Sequence, residues 1–437
     1  MKKLFKEILA LSKGTLIAAL SLALLPTSSA IFAHGLTDRF VNRDCEIENH
    51  VDCGNTPSAI FFGNDQSTGP QLLVVFAQND QVFFTTSSDK GSTYTAPVAV
   101  NKIPEAIYIT GENRPKIDVG AQGEIYISWT HKTNGRHTGN IRFSRSLDKG
   151  KTFSKPAIIN NDGLLTSHRF DSIHVTKSGN VYISWLDKRD QVAAREAGSE
   201  YVGAALYFAV SDDSGKNFLN PKAIKNHRVA DSSCECCRIA IESHGADNAA
   251  VVWRHIFDKN TRDHAYAVLK EDGSSVWGRA TVDNWQINAC PHHGPDLALD
   301  YSSESRGQYH MVWFSNGSDH KGIYYGRHNF SEGGDSQVYS VDSNPSASHP
   351  QIATVATKMQ GLIEYGEEVY IAWKTFDGKK THIMLAHSND NGISWMHKGS
   401  AVSTTGNSDH PFLLTDHFNM YLAWHTEEEG YRVKAIK

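Results

Sequence analysis

The sequence predicts an all-β protein with the fold of a seven-bladed β-propeller, and three observations lead to that prediction. A short apolar run that ends in an aromatic residue recurs seven times, at intervals of 51 to 68 residues. One further apolar run precedes each of these and another follows it, which gives at least three strands per repeat. Patterns of helical period are almost absent. A six-bladed propeller is the alternative. The seven runs end at Phe76, Trp129, Trp185, Trp253, Trp313, Trp373 and Trp424.

The runs within one repeat have the composition of strands. Second-strand runs such as EIYISW and NVYISW are rich in β-branched and aromatic residues and alternate with period two. First-strand runs such as RPKIDV and third-strand runs such as NIRFSRS flank them. Because radial arrays of four-stranded sheets repeat at about this length, we expect each repeat to form one propeller blade.

Four of the third strands end in a turn of the same composition. Residues 87–94, 146–153, 211–218 and 388–395 share the pattern Ser-x-Asp-x-Gly-x-x-aromatic, and residues 271–277 form a degraded copy. These turns resemble the Asp-box (BNR) repeats of the sialidase-like propellers. The resemblance covers nearly the whole chain after the leader. It implies turns between the two outer strands of a blade, away from the functional site, so it identifies a scaffold and no chemistry.

The two ends of the chain carry signals of their own. Residues 1–33 have four lysines followed by a short apolar stretch, which predicts a secretory signal peptide cleaved after Ala33, with Ala30 as the rival site. We therefore expect a periplasmic or secreted protein with no membrane span. Residues 34–56 are predicted to close the last blade, pinned by a Cys45–Cys53 disulfide, and residues 57–437 to form the propeller. Free or metal-bound thiols are the alternatives for this cysteine pair.

The charge of the exported chain bears on its partners. The leader contains four Lys and one Glu, so its removal changes the net charge from −5 to −5 − 3 = −8. An acidic surface argues against nucleic acid as a partner.

The topology of a propeller brings distant residues together. Residues just before each first strand, and residues just after each second-strand aromatic, converge on one face beside the central axis. The first set contains Thr56, Arg114, His168, Arg169, Cys236, Cys237, His292, His293, His349 and His410, and the second contains His131, Asp187, Arg189, His255, Asn316, His320 and His425.

Two cysteine motifs fall at equivalent positions of adjacent blades, SCECCR at 233–238 and ACPHHG at 289–294. Thiolates mixed with imidazoles suit copper, with zinc as the alternative, so the sequence predicts a transition-metal site on the axial face. In an extended segment, Cys234 and Cys236 would point one way and Cys237 the other. The predicted ligands are Cys234, Cys236, Cys237, Cys290, His255, His292, His293, His349 and His410.

Two further interpretations concern this metal site. Cleavage after Ala33 would leave His34 as the N-terminal residue, and an N-terminal amine with its own imidazole chelates copper. Conversely, Cys290 could form a disulfide with one of the three clustered cysteines, which would leave a histidine site without sulfur or no metal site.

Two enzymatic functions remain as alternatives, with the Cys/His cluster purely structural. Sialidase chemistry needs an arginine triad, for which Arg114, Arg169 and Arg238 are available, but the Arg-Ile-Pro signature is absent and the Glu364-Tyr365 pair is misplaced. A polysaccharide lyase needs a His or Tyr base and a neutralising Arg. Its candidates are His131, Arg136, Arg189 and Tyr207. The main prediction is an exported copper-binding propeller with redox or metal-handling activity.

Overall fold

The computed structural model describes residues 50–63, 69–300, 307–331, 338–358, 365–416 and 418–436. Within these ranges the strands form seven sheets, and each sheet is an antiparallel meander of strands consecutive in the chain. The sheets correspond to the seven repeats found in the sequence. The predicted fold is confirmed as a seven-bladed propeller.

The first four blades each have four strands. Blade 1 contains β1 (Asn55–Phe62), β2 (Gln71–Gln78), β3 (Gln81–Ser87) and β4 (Val98–Ala99). Blade 2 contains β5 (Lys116–Val119), β6 (Ile125–Lys132), β7 (Gly139–Ser146) and β8 (Ala157–Ile158). Blade 3 contains β9 (His168–Val175), β10 (Val181–Asp187), β11 (Ala204–Ser211) and β12 (His227–Ser233). Blade 4 contains β13 (Ala240–His244), β14 (Asn248–Arg254), β15 (His264–Leu269) and β16 (Ser275–Arg279).

Three blades complete the ring. Blade 5 contains β17 (Asp296–Leu299), β18 (Gln308–Asn316), β19 (Lys321–Asn329) and β20 (Val338–Asp342). Blade 6 contains β21 (Ser348–Lys358), β22 (Tyr365–Phe376), β23 (Thr381–Ser388) and β24 (Met396–Thr404). Blade 7 contains β25 (Phe412–Thr415), β26 (Met420–Thr426) and β27 (Gly430–Ala435). The helix α1 (Arg189–Glu196) lies between β10 and β11, and 3-10 turns occur at Val51–Cys53, Asn217–Leu219 and Asp258–Asn260.

The innermost strands close the ring around the axis. Each first strand contacts the first strand of the next blade, and β25 of blade 7 contacts β1 of blade 1. Sequence-distant residues at the starts of these strands therefore share one axial face. No helix in the described part of the chain is long and apolar enough to cross a membrane.

The turn that precedes β1 is tied to the last blade. The Asp52 carboxylate accepts a hydrogen bond from the backbone N–H of Tyr431 at 3.0 Å, and the Asp52 carbonyl lies 3.1 Å from Nε2 of His425. The leader, His34 and Cys45 lie outside the described residues, so the cleavage site, the closing strand and the Cys45–Cys53 disulfide stay predictions.

The hydrophobic core lies between neighbouring blades, and the repeated tryptophans lie in it. Trp129, Trp185 and Trp313 are each fully buried. Their indole N–H groups are satisfied by acidic side chains: Nε1 of Trp185 donates to Asp187 at 2.7 Å, and Nε1 of Trp313 donates to Asp283 at 3.0 Å. A large apolar ring with a polar handle fills the space between two sheets and fixes their spacing, which explains its recurrence.

The Asp-box turns have one hydrogen-bond pattern. In blade 2, the Ser146 hydroxyl donates to Asp148 at 2.7 Å and accepts from the N–H of Gly150, and Asp148 accepts from the N–H and hydroxyl of Thr152. Gly150 has φ of 84°, which favours glycine. The same bonds recur in the turns at 87–94 and 388–395.

Candidate metal centre on the axial face

The two cysteine motifs lie side by side because the strands they lead into are neighbours. The SCECCR segment connects β12 to β13, and the ACPHHG segment leads into β17. Strands β13 and β17 are in contact at the axis. The two segments therefore meet on the face where the first strands begin.

Three thiols converge in the first of these segments. The Sγ atoms of Cys234 and Cys236 are 3.6 Å apart, those of Cys234 and Cys237 are 3.9 Å apart, and those of Cys236 and Cys237 are 4.0 Å apart. The segment turns after Cys234 and is not extended, so Cys237 points to the same side as the other two and the expectation for an extended chain does not apply. All three side chains are buried.

The fourth cysteine comes from the neighbouring blade. Cys290 packs against the apolar cluster that contains the other three. It is half-buried, so it is the member of the group nearest to solvent. All four are free cysteines, so the structure does not contain the alternative bridge to Cys290.

The electrostatics of the cluster favour one thiolate. Hydrogen bonds from Cys236 and Cys237 hold the pKa of Cys234 well below its usual value, and Nη1 of Arg262 lies 3.4 Å from its sulfur. Burial raises the pKa values of Cys236 and Cys237. The neighbouring thiols and guanidinium therefore stabilise Cys234 as a thiolate, which is the form of cysteine that binds metal ions.

Imidazoles form a second group on the same face. The rings of His349 and His410 are stacked, with centroids 3.6 Å apart and planes inclined by 12°. The ring of His293 lies 4.6 Å from that of His349. Burial, together with nearby cationic groups such as Lys374, holds the pKa values of His349 and His410 well below their usual value. These two imidazoles are therefore neutral, which is the form that binds metals.

A buried carboxylate joins the two groups. Oε2 of Glu112, in the segment before β5, accepts hydrogen bonds from the backbone N–H of Arg238 at 2.7 Å and of Gly294 at 3.2 Å. Its other oxygen, Oε1, lies 4.0 Å from Nε2 of His349. Glu112 was not predicted, although it occupies the pre-strand position of blade 2. For that blade, only Arg114 was included among the residues before the first strand. Including every polar residue at this position would have identified Glu112.

Close packing at this point requires glycine. A Cβ atom on Gly111 would lie 2.1 Å from Nε2 of His410. A Cβ atom on Gly294 would lie 2.3 Å from Cγ of Arg238 and 2.8 Å from its carbonyl oxygen. Both glycines let a loop backbone approach a side chain of another blade.

His255 and His292 are the two remaining predicted ligands among the described residues. His292 is exposed, with a φ of 56°. The His255 ring is enclosed by aromatic rings, with centroids 4.6 Å from Phe257 and 5.1 Å from Trp277, and burial lowers its pKa to about 4. An imidazole in an aromatic environment fits a packing role, and both residues stay predictions as ligands.

Two of the arginines considered for a sialidase triad have structural roles. Arg114 forms a buried ion pair with Asp409 at 2.5 Å and donates to the carbonyls of Pro57 and Gly111. Arg238 donates to the carbonyls of Pro295 and Pro350. These guanidinium groups are occupied by protein acceptors. The third, Arg169, lies over the ring of Tyr108 at 5.3 Å.

The lyase candidates are distributed over two blades. In blade 3, the Arg189 guanidinium lies 4.4 Å from the centre of the Tyr207 ring and is paired with Asp187, and the Tyr207 hydroxyl donates to Asp190 at 2.9 Å. Burial raises the pKa of Tyr207. In blade 2, Nδ1 of His131 lies 3.9 Å from Glu105.

Comparisons with known proteins identify no family for this chain. No protein-family model matches the sequence, and no curated protein matches it. Solved structures that do match include an ulvan lyase from a new family of polysaccharide lyase (TM-score 0.49, 12% identity, 87% of this chain and 93% of that chain). They also include the α-L-arabinofuranosidase of Fusarium graminearum (0.49, 12%, 92% and 98%) and a Hadza microbial sialidase (0.46, 14%, 85% and 74%). At these identities the similarity concerns the fold alone.

Proposed function

We propose that the protein binds a soft transition-metal ion, copper(I) with zinc(II) as the alternative, through Cys234, Cys236 and Cys237, with Cys290 as a fourth ligand. The observation that supports this function is the convergence of three buried sulfur atoms at mutual distances of 3.6 to 4.0 Å. The predicted leader would place this copper-binding protein outside the cytoplasm.

The sulfur distances fit a shared ion better than a covalent bridge. A disulfide has an S–S length of about 2.05 Å. Around a metal with M–S bonds of about 2.3 Å, the sulfurs are about 3.8 Å apart in a tetrahedron and about 4.0 Å apart in a trigonal plane. The three distances therefore match either geometry without further movement of the chain.

The ligand set favours copper over zinc. Soft thiolates select copper(I) among the first-row ions. The Cys234-x-Cys236 spacing is tighter than the spacing of two to four residues found between zinc ligands in structural modules. Arg262 offsets part of the charge of the thiolates, which suits an ion of low charge. Binding would release protons from Cys236 and Cys237, since thiols must ionise to become ligands.

The arrangement supports binding and transfer of the ion. Three thiols are buried, and the half-buried Cys290 lies on the solvent side of the group. An ion could therefore pass through Cys290 on its way to the buried thiols. Binding and transfer of an ion do not require a substrate-binding site.

The experiment is a copper(I) titration of the reduced mature protein against a chromophoric chelator. We expect about one copper per chain, lost in the Cys234→Ser/Cys236→Ser/Cys237→Ser variant and weakened at least about tenfold in Cys290→Ser. The His382→Gln variant, which removes a surface imidazole, is the control. Failure of the wild type to compete for copper(I), with its thiols verified as reduced, would contradict the proposal.

A carbohydrate-active function is the second candidate. The observation that favours it is the association of Arg189 with Tyr207 beside helix α1, since a lyase combines a neutralising cation with a tyrosine. Assays on uronate polysaccharides and sialosides test it. Formation of an unsaturated or hydrolysed product, abolished by Tyr207→Phe, would establish this function, and inactivity on both classes would remove it.

A further inference from the structure

We propose that Glu112, His349 and His410 form a second metal site, separate from the thiols and selective for a borderline divalent ion such as zinc, cobalt, nickel or copper(II). The site goes beyond the thiol function and does not depend on it. One potential ligand atom from each of the three residues lies within 4.8 Å of the others. The three residues come from blades 2, 6 and 7, so only the closed ring brings them together.

The carboxylate carries the strongest indication of a ligand. Glu112 is 6% exposed, and within the described part of the chain its Oε1 atom has no hydrogen-bond partner. The distance of 4.0 Å to Nε2 of His349 is too long for a hydrogen bond. A buried carboxylate oxygen without a partner is costly, and a cation bound between Glu112 and His349 would remove that cost. Metal–oxygen and metal–nitrogen bonds of about 2.0–2.2 Å each can span this separation.

The imidazoles are held in place by packing. The stacked rings of His349 and His410 each retain an Nδ1 atom with no hydrogen-bond partner in the described ranges. Gly111 allows its backbone to lie against Nε2 of His410, which brings the adjacent Glu112 towards that ring. The ring of His293 lies next to His349 and offers a further position around an ion.

Nearby cations are directed towards other acceptors. Arg114 is paired with Asp409, and Arg238 donates to the carbonyls of Pro295 and Pro350. Nζ of Lys374 donates to the carbonyl of Ser408 at 3.0 Å. The Glu112 carboxylate therefore has its Oε1 side available to a metal ion.

The two sites differ in ligand chemistry. Sulfur at the thiol site suits a soft monovalent ion, whereas one carboxylate and two imidazoles suit borderline divalent ions. Cobalt(II) distinguishes them, because sulfur ligation gives intense charge-transfer absorption and oxygen and nitrogen ligation gives only weak visible bands. The cobalt(II) spectrum therefore shows which of the two ligand sets binds the ion.

The experiment is a cobalt(II) titration of the reduced mature protein, with folding of each variant checked by circular dichroism. We expect the Cys234→Ser/Cys236→Ser/Cys237→Ser variant to keep about one cobalt with visible bands and no sulfur charge transfer. His349→Gln, His410→Gln or Glu112→Gln in that background should weaken binding at least about tenfold. The His382→Gln change in the same background should have no effect.

Two results would overturn the second site. One is absence of cobalt binding by the folded triple-serine variant. The other is cobalt binding by that variant that His349→Gln and His410→Gln leave unchanged. Absence of the sulfur charge-transfer band from the wild type, with the visible bands intact, would support the second site, and the copper(I) titration would decide the thiol site separately.

Discussion

The carboxylate of Glu112 accepts a hydrogen bond from the backbone N–H of Arg238 at 2.7 Å, although the two residues are 126 positions apart. Glu112 precedes the first strand of blade 2, and Arg238 precedes the first strand of blade 4. They meet because the starts of all first strands converge at the axis. The same carboxylate oxygen accepts from Gly294, so Glu112 holds the two cysteine segments together.

The first prediction concerns this contact. Replacing Glu112 by Ala leaves the buried N–H groups of Arg238 and Gly294 without their acceptor. The expected loss is about 1–3 kcal/mol of the free energy of unfolding. Glu112→Gln, which keeps an acceptor oxygen, should lose less. Denaturant unfolding followed by tryptophan fluorescence measures both, and equal stability of the Ala and Gln variants would contradict this role.

The second prediction concerns Gly111. An Ala side chain there would overlap the His410 ring, so Gly111→Ala should destabilise the protein by about 1–3 kcal/mol. Gly406→Ala is the matched control, because its Cβ would meet its nearest neighbours at an ordinary 3.4 Å. The unfolding midpoint of the control should stay close to that of the wild type. A neutral effect of Gly111→Ala would show that the packing around His410 is looser than described.

The third prediction concerns the buried ion pair of Arg114 with Asp409. The two side chains are 1% and 4% exposed, and Arg114→Met would leave Asp409 as an uncompensated buried charge. We expect a loss of about 3–5 kcal/mol in unfolding free energy. Arg432→Met, which removes an exposed partner of Asp52, should cost less than about 1 kcal/mol. If Arg114→Met were as stable as the wild type, Arg114 would not have this structural role and would again be a candidate for ligand binding.

The fourth prediction concerns acid stability of the Asp-box turns. Hydrogen bonds from the side chain and the backbone of Thr152, and then from Ser146, lower the pKa of Asp148 from 3.8 to about 2. A pKa that is lower in the folded state means that the charged form stabilises the fold. This contribution is complete above pH 3.8 and is lost as the pH falls from 3.8 towards 2.

Asp148→Asn should therefore be less stable than the wild type at neutral pH, with a difference that narrows below pH 3.8. Thermal unfolding as a function of pH measures it. Asp212→Asn, at the neighbouring position of another Asp-box turn, is the control. A difference that stays constant through this pH range would contradict the assignment.

The sequence predicted the architecture because each repeated residue has the same structural role in successive blades. A buried tryptophan such as Trp185 must recur wherever two sheets pack, and the turn at Asp148 must recur wherever the outer strands are joined. The axial face was predicted by the same logic, since the first strand of every blade begins there. For this reason, the sequence could predict that Cys290 lies near the three clustered cysteines.

Other features of the site could not be predicted. The turn after Cys234 brings all three sulfurs to one side. The alternation of side chains holds only for an extended chain, so it could not predict this arrangement. His255 occupies an equivalent position to other axial residues, but its side chain turns into aromatic rings contributed by Phe257 and Trp277. Glu112 has no motif around it, and its importance comes from backbone N–H groups of two other blades.

We propose that the thiols of Cys234, Cys236 and Cys237 ligate one copper ion. X-ray absorption at the copper edge of the purified mature protein, loaded with one equivalent of copper(I), measures the ligand atoms themselves. We expect a shell of about three sulfur atoms around the metal. A shell made only of nitrogen and oxygen, or failure of the protein to retain copper with its thiols reduced, would rule out thiol ligation.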